Sequence, residues 1–195
     1  MGQDLTVELV EQLGRAATLW SDGGRVFVGR DTRGSGEELE EAFGRGVVAA
    51  GGNAVLAGVL PTPAVALLAL DLGAVISASH NPPEYNGVKL FDGQGRKLTD
   101  AAEEEIEALF DVPFAGSPGE VDHVGVADES YLEHIVERFG TDLSGLKIVV
   151  DCANGAYAGL APQAFEELGA EVTAIADSPD GTNINVGCGA TQLLD

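Results

Sequence analysis

Ser79, His80 and Lys89 are the residues of this chain whose types and spacing could do chemistry together. A short apolar run at residues 73–76 predicts a strand, and it leads through small polar residues into a proline-rich turn at residues 81–83. The strand would deliver the Ser79 hydroxyl into a loop whose backbone is restricted by its prolines. With an imidazole beside it and an ammonium group ten residues on, this hydroxyl is a candidate nucleophile.

The residue types alone leave the role of Ser79 open. A general base must reach the serine oxygen within hydrogen-bonding distance, and the side chain of an immediate neighbour such as His80 usually points away from it. The sequence has no G-x-S-x-G elbow, and it identifies no partner for His123 or His134. On these residues a serine that caps a turn is the favoured interpretation, and a serine hydrolase is the weaker alternative.

A second candidate loop spans residues 30–36, after a predicted strand. It is polar and contains glycine, but it matches neither the Walker pattern nor G-x-G-x-x-G. Asp31 and Arg33 could pair with each other, or cap the next helix with Ser35. Asp151 at the end of a later strand is similarly open, either as a ligand in an α/β enzyme or as a residue that stabilises a turn.

The charge of the chain excludes some classes of partner. It has 10 Lys and Arg against 32 Asp and Glu, a formal net charge of −22, which argues against binding to nucleic acid or to an anionic membrane. An anionic ligand would need local positive charge, for which a cluster of basic residues in or near the two loops is a candidate source, with scattered surface cations as the alternative. The clustered residues are Arg30, Arg33, Lys89, Arg96 and Lys97.

The sequence predicts a soluble protein of the cytoplasm. No apolar stretch reaches the roughly 18 to 20 residues of a membrane helix, and no basic region precedes an apolar one at the N-terminus. Cys152 and Cys188 lack metal-ligand spacing and the density of a disulfide scaffold, so we expect reduced thiols, with Cys152 in the core.

Alternating helices and strands predict an α/β fold with a mixed or largely parallel sheet flanked by helices. Ligands of such sheets bind at the carboxyl ends of strands, where both candidate loops should lie. The predicted helices cover residues 6–20, 37–50, 63–70, 100–110, 128–139 and 157–168, and the predicted strands cover 25–29, 53–59, 73–77, 88–91, 146–150 and 171–175.

The predicted elements divide into two units. Residues 1–111 form the first domain. Residues 112–126 contain Pro, Gly, Ser and acidic residues without periodicity and are predicted to be a linker. Residues 127–195 supply one helix and one βαβ unit, which predicts an incomplete second α/β domain with exposed apolar faces.

Several segments resemble the motifs of the α-D-phosphohexomutases. S-A-S-H-N-P at residues 77–82, followed by N-G-V-K at 86–89, is similar to the phosphoserine loop of that family. Further similar motifs occur in the same order along nearly the whole chain, and among family members they look most like those of the bacterial enzymes that act on glucosamine phosphates. They are G-R-D-T-R-G-S-G at 29–36, P-T-P at 61–63, K-I-V-V-D-C-A-N-G at 147–155, N-I-N at 183–185 and G-C-G-A-T at 187–191.

The resemblance implies that Ser79 carries a phosphoryl group and exchanges it with a sugar phosphate, interconverting glucosamine 6-phosphate and glucosamine 1-phosphate through a bisphosphate. An Mg²⁺ ion would bridge the phosphoserine. His80 and Lys89 are implied as the other catalytic residues, the first shaping the loop and the second aiding proton transfer. Asn81 and Arg33 are implied as phosphate-binding residues, Arg33 as a more distant contact to the phosphoserine region. Phosphomannomutase or phosphoglucomutase chemistry is the alternative.

The chain also departs from the family pattern. It contains neither the F-G-T-D-G-I-R-G loop nor the metal loop D-G-D-G-D-R, and it lacks the family's sugar loop and phosphate clamp. We therefore expect a chain that is cut at both ends and inactive alone, in which the Ser79 phosphoryl oxygen is the only metal ligand. A non-catalytic fragment is the rival interpretation, and the oligomeric state is left open.

Overall fold

The computed structural model describes residues 5–191. Helices and strands alternate along them, which confirms the predicted α/β class. In chain order the elements are α1 (Val7–Trp20), β1 (Arg25–Arg30), α2 (Gly36–Ala49), β2 (Asn53–Val59), α3 (Thr62–Leu67), β3 (Leu72–Ile76), β4 (Val88–Asp92), α4 (Asp100–Glu107), β5 (Val121–His123), α5 (Ala127–Phe139), β6 (Lys147–Asp151), α6 (Leu160–Glu167) and β7 (Glu171–Ile175).

Five strands form a mixed sheet in the order β4-β3-β1-β2-β5. β1, β2, β3 and β5 run parallel, and β4 returns antiparallel to β3 at one edge. Helices α1, α2 and α4 cover one face, where Phe43 and Ile106 are buried, and α3 and α5 cover the other, where Val65 and Tyr131 are buried. Since both faces are covered, β3 is apolar throughout and every residue in it is buried.

Helices α1 and α2 approach each other across two glycines. A Cβ atom at Gly46 would lie 2.0 Å from the Glu11 carbonyl oxygen, and one at Gly14 would lie 2.3 Å from the Phe43 carbonyl oxygen. Both separations are far inside van der Waals contact, so glycine is required where these backbones cross. The close pair packs on the sheet beside β1, the strand that carries the loop at residues 30–36.

The predicted linker contributes a strand. Residues 121–123 form β5, which pairs in parallel with β2, although all three residues are exposed and show no apolar periodicity in the sequence. The next helix, α5, places Ala127 and Tyr131 against the five-stranded sheet. Residues 112–139 are therefore more closely joined to the first sheet than their composition suggested, and the domain boundaries stay a prediction.

A separate parallel pair, β6 and β7, lies in the carboxyl-terminal segment, which we define as residues 140–191. The helix predicted over residues 157–168 begins only at Leu160, because the chain turns at Gly159 with φ +77°. Exposed Val149 and Ile175 show the open apolar face that was expected in this part of the chain. No helix within residues 5–191 has the length and apolarity to cross a membrane.

Candidate active site

The Ser79 loop, residues 77–87, leaves the carboxyl end of β3 and returns into β4. The Ser77 N–H donates to the Gly87 carbonyl at 2.8 Å, which closes the base of the loop. The Ser77 hydroxyl is buried and accepts a hydrogen bond from the Ser79 N–H at 3.0 Å. Ser79 is exposed, and its φ of +58° is a left-handed conformation that non-glycine residues adopt at a free-energy cost. Of the two serines, Ser79 presents its hydroxyl to solvent, and Ser77 supports the turn.

The Arg33 side chain donates hydrogen bonds to four backbone carbonyls of the Ser79 loop. Its guanidinium Nη2 donates to the carbonyls of Ser79 and Asn81, both at 2.9 Å. Its Nη1 donates to the Tyr85 carbonyl at 2.8 Å and to the Pro82 carbonyl. The Arg33 side chain is fully buried, so these four bonds are made away from water, where they restrain the loop most effectively.

Asp31 neutralises the buried positive charge of Arg33. One Asp31 carboxylate oxygen accepts from Arg33 Nε at 3.0 Å, and the other accepts from the Arg33 backbone N–H at 3.1 Å. The pairing that the sequence left open is therefore formed. Because all five guanidinium N–H groups point at protein oxygens, none is available to a phosphate. Arg33 therefore reaches the phosphoserine region through the backbone of the Ser79 loop, and its assignment as a phosphate-binding residue stays a prediction.

Asn185 contacts the same loop from the carboxyl-terminal segment. Its Nδ2 donates to the Ser79 carbonyl at 2.9 Å and to the Asn81 carbonyl at 3.1 Å. The sequence identified Asn185 as part of the N-I-N motif but predicted no role for it. The signal in the sequence was an apolar residue, Ile184, between two asparagines. In the structure Ile184 is buried.

Two further hydrogen bonds join the loop at residues 30–36 to the carboxyl-terminal segment. The Thr32 hydroxyl donates to the Asn154 carbonyl at 2.5 Å, and the Gly34 N–H donates to the Gly181 carbonyl at 2.8 Å. Thr32 and Gly34 thus bond to the carboxyl-terminal segment, whereas Arg33, which lies between them in the sequence, bonds to the Ser79 loop. The carboxyl ends of β1 and β3 meet at one edge of the sheet, as predicted, because the two strands are parallel neighbours.

Asp151 stabilises a turn, which was one of its two predicted roles. Its Oδ1 accepts from the Ala153 N–H at 2.9 Å, and its Oδ2 accepts from the Gly189 N–H at 2.7 Å. The neighbouring Cys152 is buried, as predicted, and burial raises the pKa of its thiol, with Asp177 and Asp151 adding to the effect.

The described part of the chain supplies only an incomplete set of ligands for a magnesium ion. Residues 5–191 contain no group of three or more His, Cys, Asp or Glu side chains arranged to hold a metal. The two carboxylates beside the site, Asp31 and Asp151, are committed to Arg33 and to backbone N–H groups. These residues do not by themselves fit an Mg²⁺ site.

Ser79 and His80 line an open cleft of about 490 Å³ between the two parts of the chain. Asp151, Cys152 and Asn185 line its other side. The Asn81 carbonyl accepts hydrogen bonds from Arg33 and Asn185.

Lys89 lies on β4 directly opposite Val75, and it shares that face of the sheet with Phe91. It is half-buried. The other four basic residues of the predicted cluster are each paired with a carboxylate: Arg30 with Glu40, Arg33 with Asp31, Arg96 with Asp92 and Lys97 with Glu103. Within the described residues, Lys89 is the one of the five that forms no ion pair. It is not among the residues that line the cleft at Ser79.

Comparison with curated proteins finds phosphoglucosamine mutases. The chain is 46% identical to the enzyme of Clostridium acetobutylicum over an alignment of 213 positions, which covers 99% of this chain and 47% of that protein. It is 47% identical to the enzyme of Thermobifida fusca, covering 98% and 46% of the two chains. This chain thus spans a little under half the length of these relatives.

Solved structures agree on the fold. A phosphoglucomutase/phosphomannomutase family protein of Burkholderia thailandensis superposes with a TM-score of 0.83 at 31% identity, covering 93% of this chain and 43% of that one. A putative phosphomannomutase of Thermus thermophilus gives 0.78 at 28% identity, covering 92% and 44%. Residues 1–113 match the sequence profile described as phosphoglucomutase/phosphomannomutase, alpha/beta/alpha domain I. This chain therefore belongs to the phosphoglucomutase/phosphomannomutase family.

Proposed function

We propose that this chain carries the phosphoryl-accepting serine of a phosphoglucosamine mutase, and that the intact protein interconverts glucosamine 6-phosphate and glucosamine 1-phosphate. One observation carries the proposal: the exposed Ser79 hydroxyl stands at the carboxyl edge of the sheet, on a left-handed residue whose carbonyl is held from two sides. A turn-capping serine would need no such support. The curated relatives, which are phosphoglucosamine mutases, give the proposed sugar.

The chemistry consists of two phosphoryl transfers between Ser79 and one sugar. The phosphorylated Ser79 oxygen transfers its phosphoryl group to a hydroxyl of the sugar monophosphate. The P–O bond to Ser79 breaks as the P–O bond to the sugar forms, and in net terms the proton of the sugar hydroxyl ends on the Ser79 oxygen. The resulting bisphosphate turns over in the cleft and returns its other phosphoryl group to Ser79. No phosphate is consumed, and the sugar leaves as the isomeric monophosphate.

The remaining roles are proposed from the family motifs, with the positions of these residues as support. Lys89 supplies the unpaired charge on the β4 side and is proposed to stabilise the transferring phosphoryl group and aid proton movement. His80 lines the cleft beside Ser79 and is proposed to shape it around the phosphoserine. Asn81 is proposed to bind phosphate, and its carbonyl is already fixed by Arg33 and Asn185.

The proposal has three further parts: the metal ion, the division into domains and the location in the cell. Mg²⁺ bound to the Ser79 phosphoryl oxygen would neutralise charge on the phosphoryl group, with its carboxylate ligands supplied from outside residues 5–191. The division into domains at residues 1–111 and 127–195, and a cytoplasmic location for a sugar-phosphate enzyme, complete the proposal.

The test is phosphoryl transfer to the intact protein that carries this sequence. We would incubate it with glucosamine 1,6-bisphosphate and follow the intact mass, with Ser79→Ala and Ser77→Ala as the paired variants. The proposal expects one added phosphoryl group in the wild type and in Ser77→Ala, and none in Ser79→Ala. Transfer that survives in Ser79→Ala would refute it.

A second candidate is a phosphomannomutase or phosphoglucomutase, favoured by the name of the matched family and of the Thermus thermophilus structure. Glucose and mannose 1,6-bisphosphates, offered at equal concentration in the same assay, separate these activities. Faster transfer from either of them than from the glucosamine compound would favour the second candidate.

A further inference from the structure

Two carbonyl oxygens of the Ser79 loop each accept hydrogen bonds from both parts of the chain. The Ser79 carbonyl receives Arg33 Nη2 and Asn185 Nδ2, both at 2.9 Å, and the Asn81 carbonyl receives the same two groups at 2.9 and 3.1 Å. Because both neighbours of the Asn185 amide are carbonyl oxygens, only its nitrogen can face them, which fixes the orientation of that amide. The Ser79 loop is thus hydrogen-bonded to the buried guanidinium of Arg33 on the side of the sheet and to the neutral amide of Asn185 on the side of the carboxyl-terminal segment.

Left-handed backbone conformations occur on both sides of this contact. Among the described residues, six that are not glycine have a positive φ, and four of them meet here. The four are Ser79 at +58°, Ala153 at +53°, Asn154 at +49° and Asn185 at +62°. Such conformations persist only where surrounding structure determines them, and they concentrate at sites where geometry matters for function.

Asn185 is itself held firmly enough to act as a support. Its N–H donates to the Ala153 carbonyl at 2.9 Å, and the preceding residue, Ile184, is buried. The same turn region is attached to the sheet through the Thr32 and Gly34 bonds described above. Movement of the carboxyl-terminal segment away from the sheet would therefore pull the Asn185 amide off the Ser79 loop.

We propose that Asn185 is a positioning residue that sets the Ser79 loop for phosphoryl transfer and couples its geometry to the seating of the carboxyl-terminal segment. This role rests on the proposed function of Ser79. Asn185 acts through the backbone of the nucleophile and not on the sugar. Its loss should therefore lower the rate of transfer while leaving the KM for the sugar phosphate nearly unchanged.

The amide carries no ionisable proton, which distinguishes this role from acid–base catalysis. Removing Asn185 should lower the rate by a similar factor at every pH, so the shape of the pH–rate profile stays the same. A misplacement of about 1 Å at a nucleophile can lower a rate about 100-fold, so we expect a fall of about 10- to 100-fold.

The variants Asn185→Gly and Asn185→Asp test the proposal. Both remove the amide donor, and both tolerate a φ of +62°, so neither adds the backbone strain that alanine would introduce. Asn183→Asp is the matched control. The Asn183 amide donates to the Ser178 carbonyl within its own turn and makes no bond to the Ser79 loop.

Two measurements on the intact protein that carries this sequence decide the outcome. Hydrogen exchange over residues 77–87 should become about tenfold faster in both Asn185 variants and stay at the wild-type rate in Asn183→Asp. Single-turnover transfer from glucosamine 1,6-bisphosphate should slow in both Asn185 variants and not in the control. Wild-type exchange in Asn185→Gly, or a wild-type transfer rate in that variant, would overturn the positioning role.

The exchange measurement also separates this proposal from the proposed function. If the wild type takes up no phosphoryl group at Ser79, the proposed function fails, and exchange over residues 77–87 still decides whether Asn185 supports the loop. If the wild type is phosphorylated and the Asn185 variants match it in rate, the proposed function stands and the positioning role is refuted.

Discussion

Replacement of Arg33 by methionine should be among the most destabilising single changes near the site. The side chain has no exposed surface and neutralises Asp31, whose side chain is 8% exposed. Removing one partner of such a buried pair leaves an uncompensated charge, which typically costs about 3–5 kcal/mol. The loop carbonyls add less, because those of Ser79 and Asn81 keep their bonds to Asn185.

Arg25→Met is the matched control for this prediction. Arg25 also contacts an aspartate, Asp71, but at 3.8 Å and with both side chains more than half exposed. Exposed pairs of this kind contribute roughly 0–1 kcal/mol. Urea unfolding of the chain, followed by circular dichroism, should therefore show a loss for Arg33→Met that is several times the loss for Arg25→Met.

The double variant Asp31→Asn with Arg33→Met separates charge from loop support. It removes both charges, so it should be more stable than Arg33→Met alone by about 1–3 kcal/mol. Hydrogen exchange over residues 77–87 should be fast in both variants, because both lose the Arg33 donors to four loop carbonyls. Equal losses for Arg33→Met and Arg25→Met would refute the buried-charge reasoning, and a return of exchange protection in the double variant would refute the role of Arg33 as a clamp.

Two further predictions concern the rest of the chain. Gly46→Ala should cost about 1–3 kcal/mol, because its Cβ would lie 2.0 Å from the Glu11 carbonyl, whereas Gly125→Ala, with nothing within 4 Å, should be close to neutral in the same urea assay. Burial raises the pKa of the Glu40 carboxyl above 4.5, so the folded chain binds more protons than the unfolded chain between 4.5 and the folded value. The free energy of unfolding should therefore fall as pH rises through that window, and Glu40→Gln should lack this component; equal pH slopes in the two proteins would contradict the assignment.

The sequence was sufficient to predict the main elements of the fold. Strong local signals mark β2, which has the predicted bounds, and the apolar run of β3, which is buried on both faces. β5 was missed because Val121, Asp122 and His123 are exposed at a sheet edge and show no periodicity. Its pairing with β2 is a tertiary effect that no short window of sequence contains.

The candidate site was only partly predictable for the same reason. Ser79 and Arg33 were identified from motifs and spacing, and their loops were expected at one edge of the sheet. The division of labour between Ser77 and Ser79 follows from burial and φ, which the sequence does not state. Asn185 lies 106 residues from Ser79 along the chain, so its contact with that carbonyl emerges only from the folded structure.

The most direct test of the account is to locate the phosphoryl group after incubation of the intact protein with glucosamine 1,6-bisphosphate. Peptide mapping by tandem mass spectrometry resolves Ser77, Ser79 and His80 within one peptide. We predict a phosphate on Ser79 that is lost again when glucosamine 6-phosphate is added in excess. A phosphate on Ser77 or His80, or one on Ser79 that the sugar phosphate cannot remove, would contradict the account.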